Sequence, residues 1–310
     1  MRRKKIITEE SKQIIGDLLS KERYLALEPR LNLDVEHYLK NRNILEAINL
    51  NTIRWQSQQN REFTRILVTA NTSSGKSTLV NALLGLNVVA TAQESKTAAV
   101  TQIIESYTGT RIINNENLIR APFLMKKYTS NRLAVIDTPG VNDAQNPKYV
   151  KLTKEAILKN NYSYLVYVIG TPGSIEEFNY MRWIIKHVEH EKIIFVLNKI
   201  DNYQASEDNV ISTLTKLKFD LEKIGYPNAI IYPMSAYAAY LIKRHEFAND
   251  LDNDELDEYE YLIKKFKRPQ NNLSQTKVRN VKFLDLLSIC GMLAFENKIR
   301  GELNYETSIH

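Results

Sequence analysis

Cysteine is scarce in this sequence: among 310 residues, only Cys290 carries a thiol. A single thiol excludes an internal disulfide framework, which suits a reducing cellular compartment. Cys290 lies in the apolar run LLSICGMLAF. We therefore expect it to be a buried core thiol and not a reactive one.

Long apolar runs are missing as well. No segment approaches the roughly 20 apolar residues that a membrane-spanning helix needs. The N-terminal stretch MRRKKIITEESKQ begins with basic residues, as a signal peptide does, but further charges follow where a signal peptide has its apolar core. We also find no internal repeat and no low-complexity linker. These absences predict a soluble, cytoplasmic protein.

The composition that is present fits a globular protein. Apolar residues make up 43% of the chain and charged residues 25%, which is enough to bury a sizeable core. The net charge of +6 and the pI of about 9.1 are mildly basic. We attribute this charge to a surface of mixed sign and expect no specific nucleic-acid partner.

Hydrophobic periodicity divides the chain into three parts. Residues 1–61 carry apolar residues at helical spacing, which predicts an N-terminal helical segment. Residues 62–246 alternate apolar runs such as FTRILVTA, RLAVID and YSYLVYVIG with amphipathic stretches. This alternation predicts an α/β domain with a mainly parallel sheet covered by helices on both faces. Residues 247–310 are predicted to form a C-terminal helical segment that packs with the N-terminal helices as a short bundle.

The C-terminal segment contains two distinct stretches. NDLDNDELDEYEYLIKKFKR is acidic but lacks the glycine spacing of a calcium-binding loop, so it predicts a solvated helix face and not a metal site. VKFLDLLSICGMLAFENKIRGEL has apolar residues at helical spacing and predicts one last helix.

One loop carries a nucleotide-binding pattern. The segment ANTSSGKS stands between a predicted strand and a predicted helix and matches G-x-x-x-x-G-K-[ST], except for Ala70 at the first position. The wider pattern tolerates alanine there, and Gly75 is retained where the backbone must approach the phosphates. Because the N–H groups of such a loop face phosphates, we expect Lys76 to reach the β- and γ-phosphates and the Ser77 hydroxyl to ligate Mg²⁺.

Three later segments occur in the order of a guanine-nucleotide site. DTPG places the Asp137 carboxylate at the end of an apolar strand to hold Mg²⁺, and it presents the Gly140 N–H to the γ-phosphate. NKID places the Asp201 carboxylate where it can accept two hydrogen bonds from guanine that adenine cannot donate, although Asp201 also suits a helix N-cap. MSA, at 234–236, offers a backbone N–H to the guanine carbonyl oxygen.

The predicted nucleotide-binding residues come from these four segments. They are Asn71, Thr72, Ser73, Ser74, Gly75, Lys76, Ser77, Thr78, Asp137, Gly140, Asn198, Lys199, Asp201, Ser235 and Ala236. The predicted ligands are GTP or GDP with Mg²⁺.

Over residues 63–300 the sequence resembles the dynamin superfamily, and more closely the bacterial dynamin-like GTPases. SSGKSTLVNALLGLNVVATAQESKTAAVTQI carries the resemblance together with DTPGV, NKID and MSA. It implies that Thr97 is the switch threonine that ligates Mg²⁺ and senses the γ-phosphate, with Thr91 and Thr101 as neighbouring alternatives. It also implies a catalytic set of Ser73, Lys76, Thr97 and Gly140.

The resemblance extends to cofactors and partners. The Ser73 loop would help to hold K⁺ or Na⁺, although a serine there also suits a local turn. Hydrolysis of Mg²⁺-bound GTP to GDP and phosphate would be activated by a homodimer across the nucleotide face. The sequence ends at His310, without room for the long stalk of membrane-remodelling dynamins. We therefore expect a companion chain or a membrane surface as a further partner, with a place in the cytoplasm or at the membrane periphery.

Two positions depart from related enzymes. Val141 follows DTPG where Ras-like enzymes carry a glutamine that positions water, and Thr72 stands where animal dynamins carry a catalytic glutamine. Two alternatives therefore stand beside hydrolysis by a dynamin-like enzyme. One is a nucleotide-gated binding module with little hydrolysis, and the other is an Era-like GTPase associated with the ribosome or RNA.

Overall fold

The structure is a computed structural model that describes residues 63–89, 99–105, 111–113, 118–121, 123, 132–141, 147–203, 210–274 and 283–300. The predicted N-terminal helical segment 1–61 and its packing with the C-terminal helices lie outside these residues. Thr97 and its alternative Thr91 lie outside them too, whereas Thr101 is described at the start of a strand.

The described residues form one sheet of eight strands in the order β3-β4-β2-β5-β1-β6-β7-β8. The strands are β1 Phe63–Ala70, β2 Thr101–Glu105, β3 Arg111–Ile113, β4 Leu118–Ala121, β5 Arg132–Asp137, β6 Tyr164–Ile169, β7 Ile193–Leu197 and β8 Ile231–Pro233. Five of the strand pairs are parallel, and the pairs β2–β5 and β3–β4 are antiparallel. The predicted mainly parallel sheet is confirmed.

Helices cover both faces of the sheet. They are α1 Lys76–Leu84, α2 Pro147–Leu158, α3 Ile175–His187, α4 Val210–Lys223, α5 Ala236–Lys243, α6 Asn253–Phe266, α7 Phe283–Ile289 and α8 Met292–Arg300. In β6 the five successive residues from Leu165 to Ile169 are all 0% exposed. Since successive strand residues point to opposite faces, both faces of this strand must be covered. The α/β prediction is therefore confirmed.

The last predicted helix is wrong in one respect, because it is two helices. α7 ends at Ile289 and α8 begins at Met292, with Gly291 between them at φ 85°. A Cβ atom on Gly291 would lie 2.1 Å from the Pro233 carbonyl oxygen, so a side chain at this position would clash with the end of β8. Gly291 within LLSICGMLAF is the sequence signal for this break.

Buried charges attach the C-terminal helices to the sheet domain. Lys243 Nζ, at the end of α5, lies 2.6 Å from Glu296 Oε1 of α8, and both side chains are inaccessible. Arg300, the last residue of α8, pairs with Glu105 of β2 at 3.3 Å. These contacts place α8 against the sheet domain and not apart from it.

Two smaller predictions about the C-terminal segment are confirmed. Cys290 is fully buried, and burial raises the pKa of its thiol to about 12, so it is a core thiol. The acidic stretch forms α6, which buries Leu262, Ile263 and Phe266 and leaves most of its acidic side chains exposed, as a solvated helix face requires; Glu255 is half-buried and pairs with Arg244. Within the described residues, we find no helix with the length and apolar character needed to cross a bilayer.

Candidate functional site

The predicted phosphate loop joins β1 to α1 and has the backbone shape that its sequence requires. Ser73 and Gly75 both have left-handed backbone conformations, at φ 64° and 83°. A Cβ atom on Gly75 would lie 2.3 Å from Asn198 Nδ2, so only glycine fits. The Ser74 hydroxyl donates to the Asn71 carbonyl oxygen at 2.7 Å and closes the turn.

The DTPG segment lies against this loop. The Val141 N–H donates to the Ala70 carbonyl oxygen at 3.3 Å, and a Cβ atom on Gly140 would lie 3.2 Å from Thr72 Oγ1. Thr72 and Ser73 are exposed on the outer side of the loop. The structure thus brings Gly140 and the phosphate loop together, as the sequence predicts.

Lys76 and Asp137 form a buried ion pair at the centre of the site. Lys76 Nζ contacts Asp137 Oδ1, and the two residues are 8% and 0% exposed. Asp137 Oδ2 is buried and has no hydrogen-bond partner among the described residues. A buried carboxylate oxygen that accepts no hydrogen bond destabilises the folded protein, and a bound cation or water would remove this destabilisation.

This donor set fits Mg²⁺. The half-buried Ser77 hydroxyl belongs to the first turn of α1, next to Lys76, and Asp137 supplies the carboxylate. In the described part of the chain no cluster of three or more His, Cys, Asp or Glu residues suits a metal. Asp137 and Ser77 are nonetheless a fitting pair for Mg²⁺, because Mg²⁺ binds one or two protein oxygens together with waters and substrate phosphates.

Asn198 links the phosphate loop to the predicted base-binding segments. Its Nδ2 donates to the Ser74 carbonyl oxygen at 3.0 Å, and its Oδ1 accepts from the Ala236 N–H at 3.0 Å. The Ser235 N–H donates to the Cys290 carbonyl oxygen at 3.0 Å. Asn198 therefore acts as a bridge within the protein, and a direct bond from the 235–236 backbone to guanine stays a prediction.

Asp201 is held at a cavity beside the phosphate loop. The Ser235 hydroxyl donates to Asp201 Oδ1, while the same Ser235 Oγ accepts from the Ala238 N–H and caps α5. The cavity has a volume of about 230 Å³ and is lined by Gly75, Thr78, Asn198, Lys199, Asp201, Asn202 and Tyr237. The lining thus combines a carboxylate, Asp201, with Gly75 of the phosphate loop, which suits a planar base joined to phosphates.

Three residues near this cavity were missed by the sequence analysis. Asn202 and Tyr237 line it and directly follow the NKID and MSA motifs, which was an available signal. Lys265 of α6 donates to the carbonyl oxygens of Asp201 and Tyr203 at 2.5 and 2.8 Å. No local pattern pointed to Lys265, because it lies 64 residues from Asp201 in the chain.

Comparisons with known proteins agree with this geometry at the level of the family. A family model described as "50S ribosome-binding GTPase" matches residues 65–220, which is half of the chain. An uncharacterised protein in the xynA 3′ region of Caldicellulosiruptor sp. (strain Rt8B.4) is 24% identical over 254 residues, covering 73% of this chain. This chain spans 62% of the length of that relative.

Two solved structures show how far the similarity reaches. A member of an oligomerised bacterial dynamin pair is 14% identical with a TM-score of 0.44, covering 90% of this chain and 46% of the other. Era in complex with MgGDPNP and a 16S ribosomal RNA fragment is 21% identical with a TM-score of 0.40, covering 57% of this chain and 52% of the other. These values assign no subtype.

The dynamin-like resemblance is thus supported only as far as the family. The phosphate loop, the Lys76–Asp137 pair and Asp201 lie inside the matched residues, whereas Ser235 and Tyr237 follow them in the chain. Together with this match, they show that the chain belongs to the family of P-loop GTPases described as 50S ribosome-binding GTPases.

Proposed function

We propose that this protein is a GTP-hydrolysing switch of the dynamin-like type, activated when two copies meet across their nucleotide faces. The main observation in support is that all parts of the site lie at the same edge of the sheet, where the parallel strands end. The phosphate loop follows β1, Asp137 ends β5, Asn198 follows β7 and Ser235 follows β8. Ligands of open α/β sheets bind at the carboxyl ends of the strands.

Base selection rests on the Asp201 carboxylate. Guanine offers an N–H and an exocyclic amine side by side, and one carboxylate can accept from both. Adenine offers no such pair, so it would leave a partly desolvated carboxylate without donors. Ser235 supports this role because its hydroxyl, donated to Oδ1, fixes the carboxylate without adding a competing charge.

The phosphate side supports in-line attack of water on the γ-phosphate. Lys76 would exchange its bond to Asp137 for the β- and γ-phosphate oxygens, and Asp137 with Ser77 would hold Mg²⁺. Bound there, Mg²⁺ would neutralise charge on the phosphate oxygens. Thr97 and Gly140 would contact the γ-phosphate, and the loop of Ser73 would hold K⁺ or Na⁺ as a second neutralising charge.

The position after DTPG supports activation by a second copy. Val141 is 4% exposed, packs in the core and has no polar side-chain atom with which to orient water. Thr72 and Ser73 are exposed on the loop surface, where another molecule would reach them. A homodimer would cover this face, exclude bulk water and fix the switch segments.

Two measurements test the proposal. Calorimetry should give a preference for GTP over ATP of about 10²-fold or more. Specific GTPase activity should rise with protein concentration, and light scattering should detect dimers with GDP and aluminium fluoride but not with GDP alone. Equal affinity for the two nucleotides would refute the guanine assignment. Constant specific activity from nanomolar to tens of micromolar protein, with monomers throughout, would refute the dimer.

The buried Val141 also favours a second candidate, a nucleotide-gated binding module with little hydrolysis. Single-turnover measurements separate the two, since a binding module would retain bound GTP at every protein concentration. The description of the family favours a ribosomal partner for either candidate. Nucleotide-dependent cosedimentation with 50S subunits tests that partner, and binding that persists at raised salt would distinguish it from non-specific attraction.

A further inference from the structure

We propose that Lys265, far from the nucleotide motifs in sequence, is a positioning residue that determines guanine specificity. Its ammonium group holds the backbone of the NKID segment and thereby directs the Asp201 carboxylate into the cavity. The inference rests on the proposed role of Asp201 as the residue that binds guanine. It adds a residue of the C-terminal segment to the determinants of base selection.

The hydrogen bonds from Lys265 go to backbone carbonyl oxygens at the end of a helical turn in the NKID segment. Residues Ile200–Asn202 form one turn of 3-10 helix, and the carbonyl oxygens at the end of a helical turn lack partners within it. The carbonyl oxygens of Lys199 and Ile200 accept from Asn202 and Tyr203 at 3.0 and 3.1 Å. Those of Asp201 and Tyr203 accept from Lys265. A cation is favoured at this end of the turn, and charge-assisted bonds are the stronger kind.

Lys265 projects from a firmly placed helix. Its neighbours Leu262, Ile263 and Phe266 are at most 9% exposed and belong to the core. At the other end of α6, Asp252 and Glu255 form a capping box, and Glu255 also pairs with Arg244. The backbone of α6 is therefore fixed relative to the sheet, and the two bonds of the Lys265 ammonium connect the loop to this fixed helix.

Asp201 is thus held at two points by two distant segments. Ser235 holds one oxygen of the side chain, and Lys265 holds the main-chain carbonyl oxygen of the same residue. Guanine needs both of its donors aligned with one carboxylate, so a small rotation of the Asp201 backbone would weaken the base contact. The phosphate contacts lie on a different loop and would remain.

The test compares Lys265→Met with Lys264→Met in the full chain. Lys264 is the adjacent exposed lysine, and no hydrogen bond or ion pair of its side chain is described. Calorimetry measures binding of GDP and of inosine diphosphate, which lacks the exocyclic amine. We expect Lys265→Met to weaken the binding of GDP about tenfold or more and the binding of inosine diphosphate much less. The affinity for GDP relative to that for inosine diphosphate should therefore fall. Lys264→Met should leave both affinities within about twofold.

A purely structural role would give a different result. In that case Lys265→Met would lower the melting temperature and weaken both nucleotides equally, with an unchanged ratio, and the inference would be overturned. Should Lys265→Met fail to fold, Lys265→Gln is measured by the same criterion. Its side chain is one atom shorter and uncharged but keeps an N–H donor, so we expect a smaller fall in the affinity ratio.

A double-mutant cycle makes the test independent of overall stability. In a protein that already carries Asp201→Ala, the change Lys265→Met should not lower the affinity for GDP any further, because the carboxylate that Lys265 positions is absent. A full additional loss would contradict the inference. If the unaltered protein fails to distinguish GDP from inosine diphosphate, the guanine assignment itself is wrong. If the unaltered protein prefers GDP to inosine diphosphate and the Lys265→Met variant shows the same preference, only the role of Lys265 is wrong.

Discussion

The phosphate side and the base side of the site are built in different ways. On the phosphate side, one continuous segment from Ala70 to Ser77 supplies the loop, and its contacts are mostly backbone groups and one buried ion pair. On the base side, Asp201 is held by Ser235 and Lys265, which come from two other parts of the chain. Two local motifs, the loop and DTPG, encode the first side, whereas the second also needs Lys265, which only the complete fold brings to Asp201.

The largest effect should come from the phosphate side. Lys76→Ala removes the only cation in contact with Asp137 among the described residues, so we expect nucleotide affinity to fall more than about 10²-fold and hydrolysis to stop. Leaving the buried carboxylate unpaired should also cost about 3 kcal/mol or more of stability. Calorimetry and urea unfolding measure the two effects. The control is Lys186→Ala, on the exposed face of α3, which should change neither.

A substitution on the base side should change the selectivity between nucleotides more than it changes the affinity for their phosphates. Asp201→Asn should reduce the preference for GTP over ATP about 10²-fold and improve binding of xanthosine triphosphate, because an amide can donate to the xanthine carbonyl oxygen. Competition binding with the three nucleotides measures this. An unaltered GTP preference in this variant would contradict the role of Asp201. Asp257→Asn, the same change at an exposed position of α6, serves as the control and should leave the preference unchanged.

A buried carboxyl in the first turn of α3, Glu177, should make stability depend on pH. Burial raises the pKa of Glu177 from 4.5 to about 7, and the Tyr167 hydroxyl partly offsets this by donating to it. The folded protein then binds more protons than the unfolded chain between these pH values, so stability should fall as the pH rises from about 4.5 to 7, by up to about 3 kcal/mol.

The measurement is chemical unfolding as a function of pH. Glu177→Gln should remove this decline, because the amide does not titrate. Glu176→Gln, the exposed neighbour in the first turn of α3, should retain the decline. A decline of equal size in both variants would show that another group is responsible.

The smallest effect should come from Ser235. Ser235→Ala removes both the hydrogen bond to Asp201 and the N-cap of α5. We therefore expect a loss of about 1 kcal/mol of stability and several-fold weaker binding of GDP. Thermal unfolding and calorimetry measure the two. Ser235→Thr keeps the hydroxyl and should retain most of both. A weakening as large as that of Lys76→Ala would contradict the division between the two sides.

The sequence predicted the sheet and the phosphate side because both depend on local patterns. FTRILVTA coincides with β1, and the glycine and lysine of the loop occupy the expected places. The strands β3 and β4 were not predicted, since runs of three and four residues carry little periodicity. The division of α7 from α8 was missed although Gly291 marks it. Lys265 was beyond reach, because its partners are set by tertiary packing. The three-part domain division stays a prediction.

The buried pair of Lys243 and Glu296 has a consequence for how the molecule opens. If α8 detached alone, it would carry Glu296 into water and leave the Lys243 ammonium inside the core with only the Leu83 carbonyl oxygen at 3.3 Å. An uncompensated interior charge costs several kcal/mol, so this partial opening is unfavourable. The amide hydrogens of α8 should therefore exchange with solvent as slowly as those of the central strands, and α8 should unfold together with the sheet as one cooperative unit.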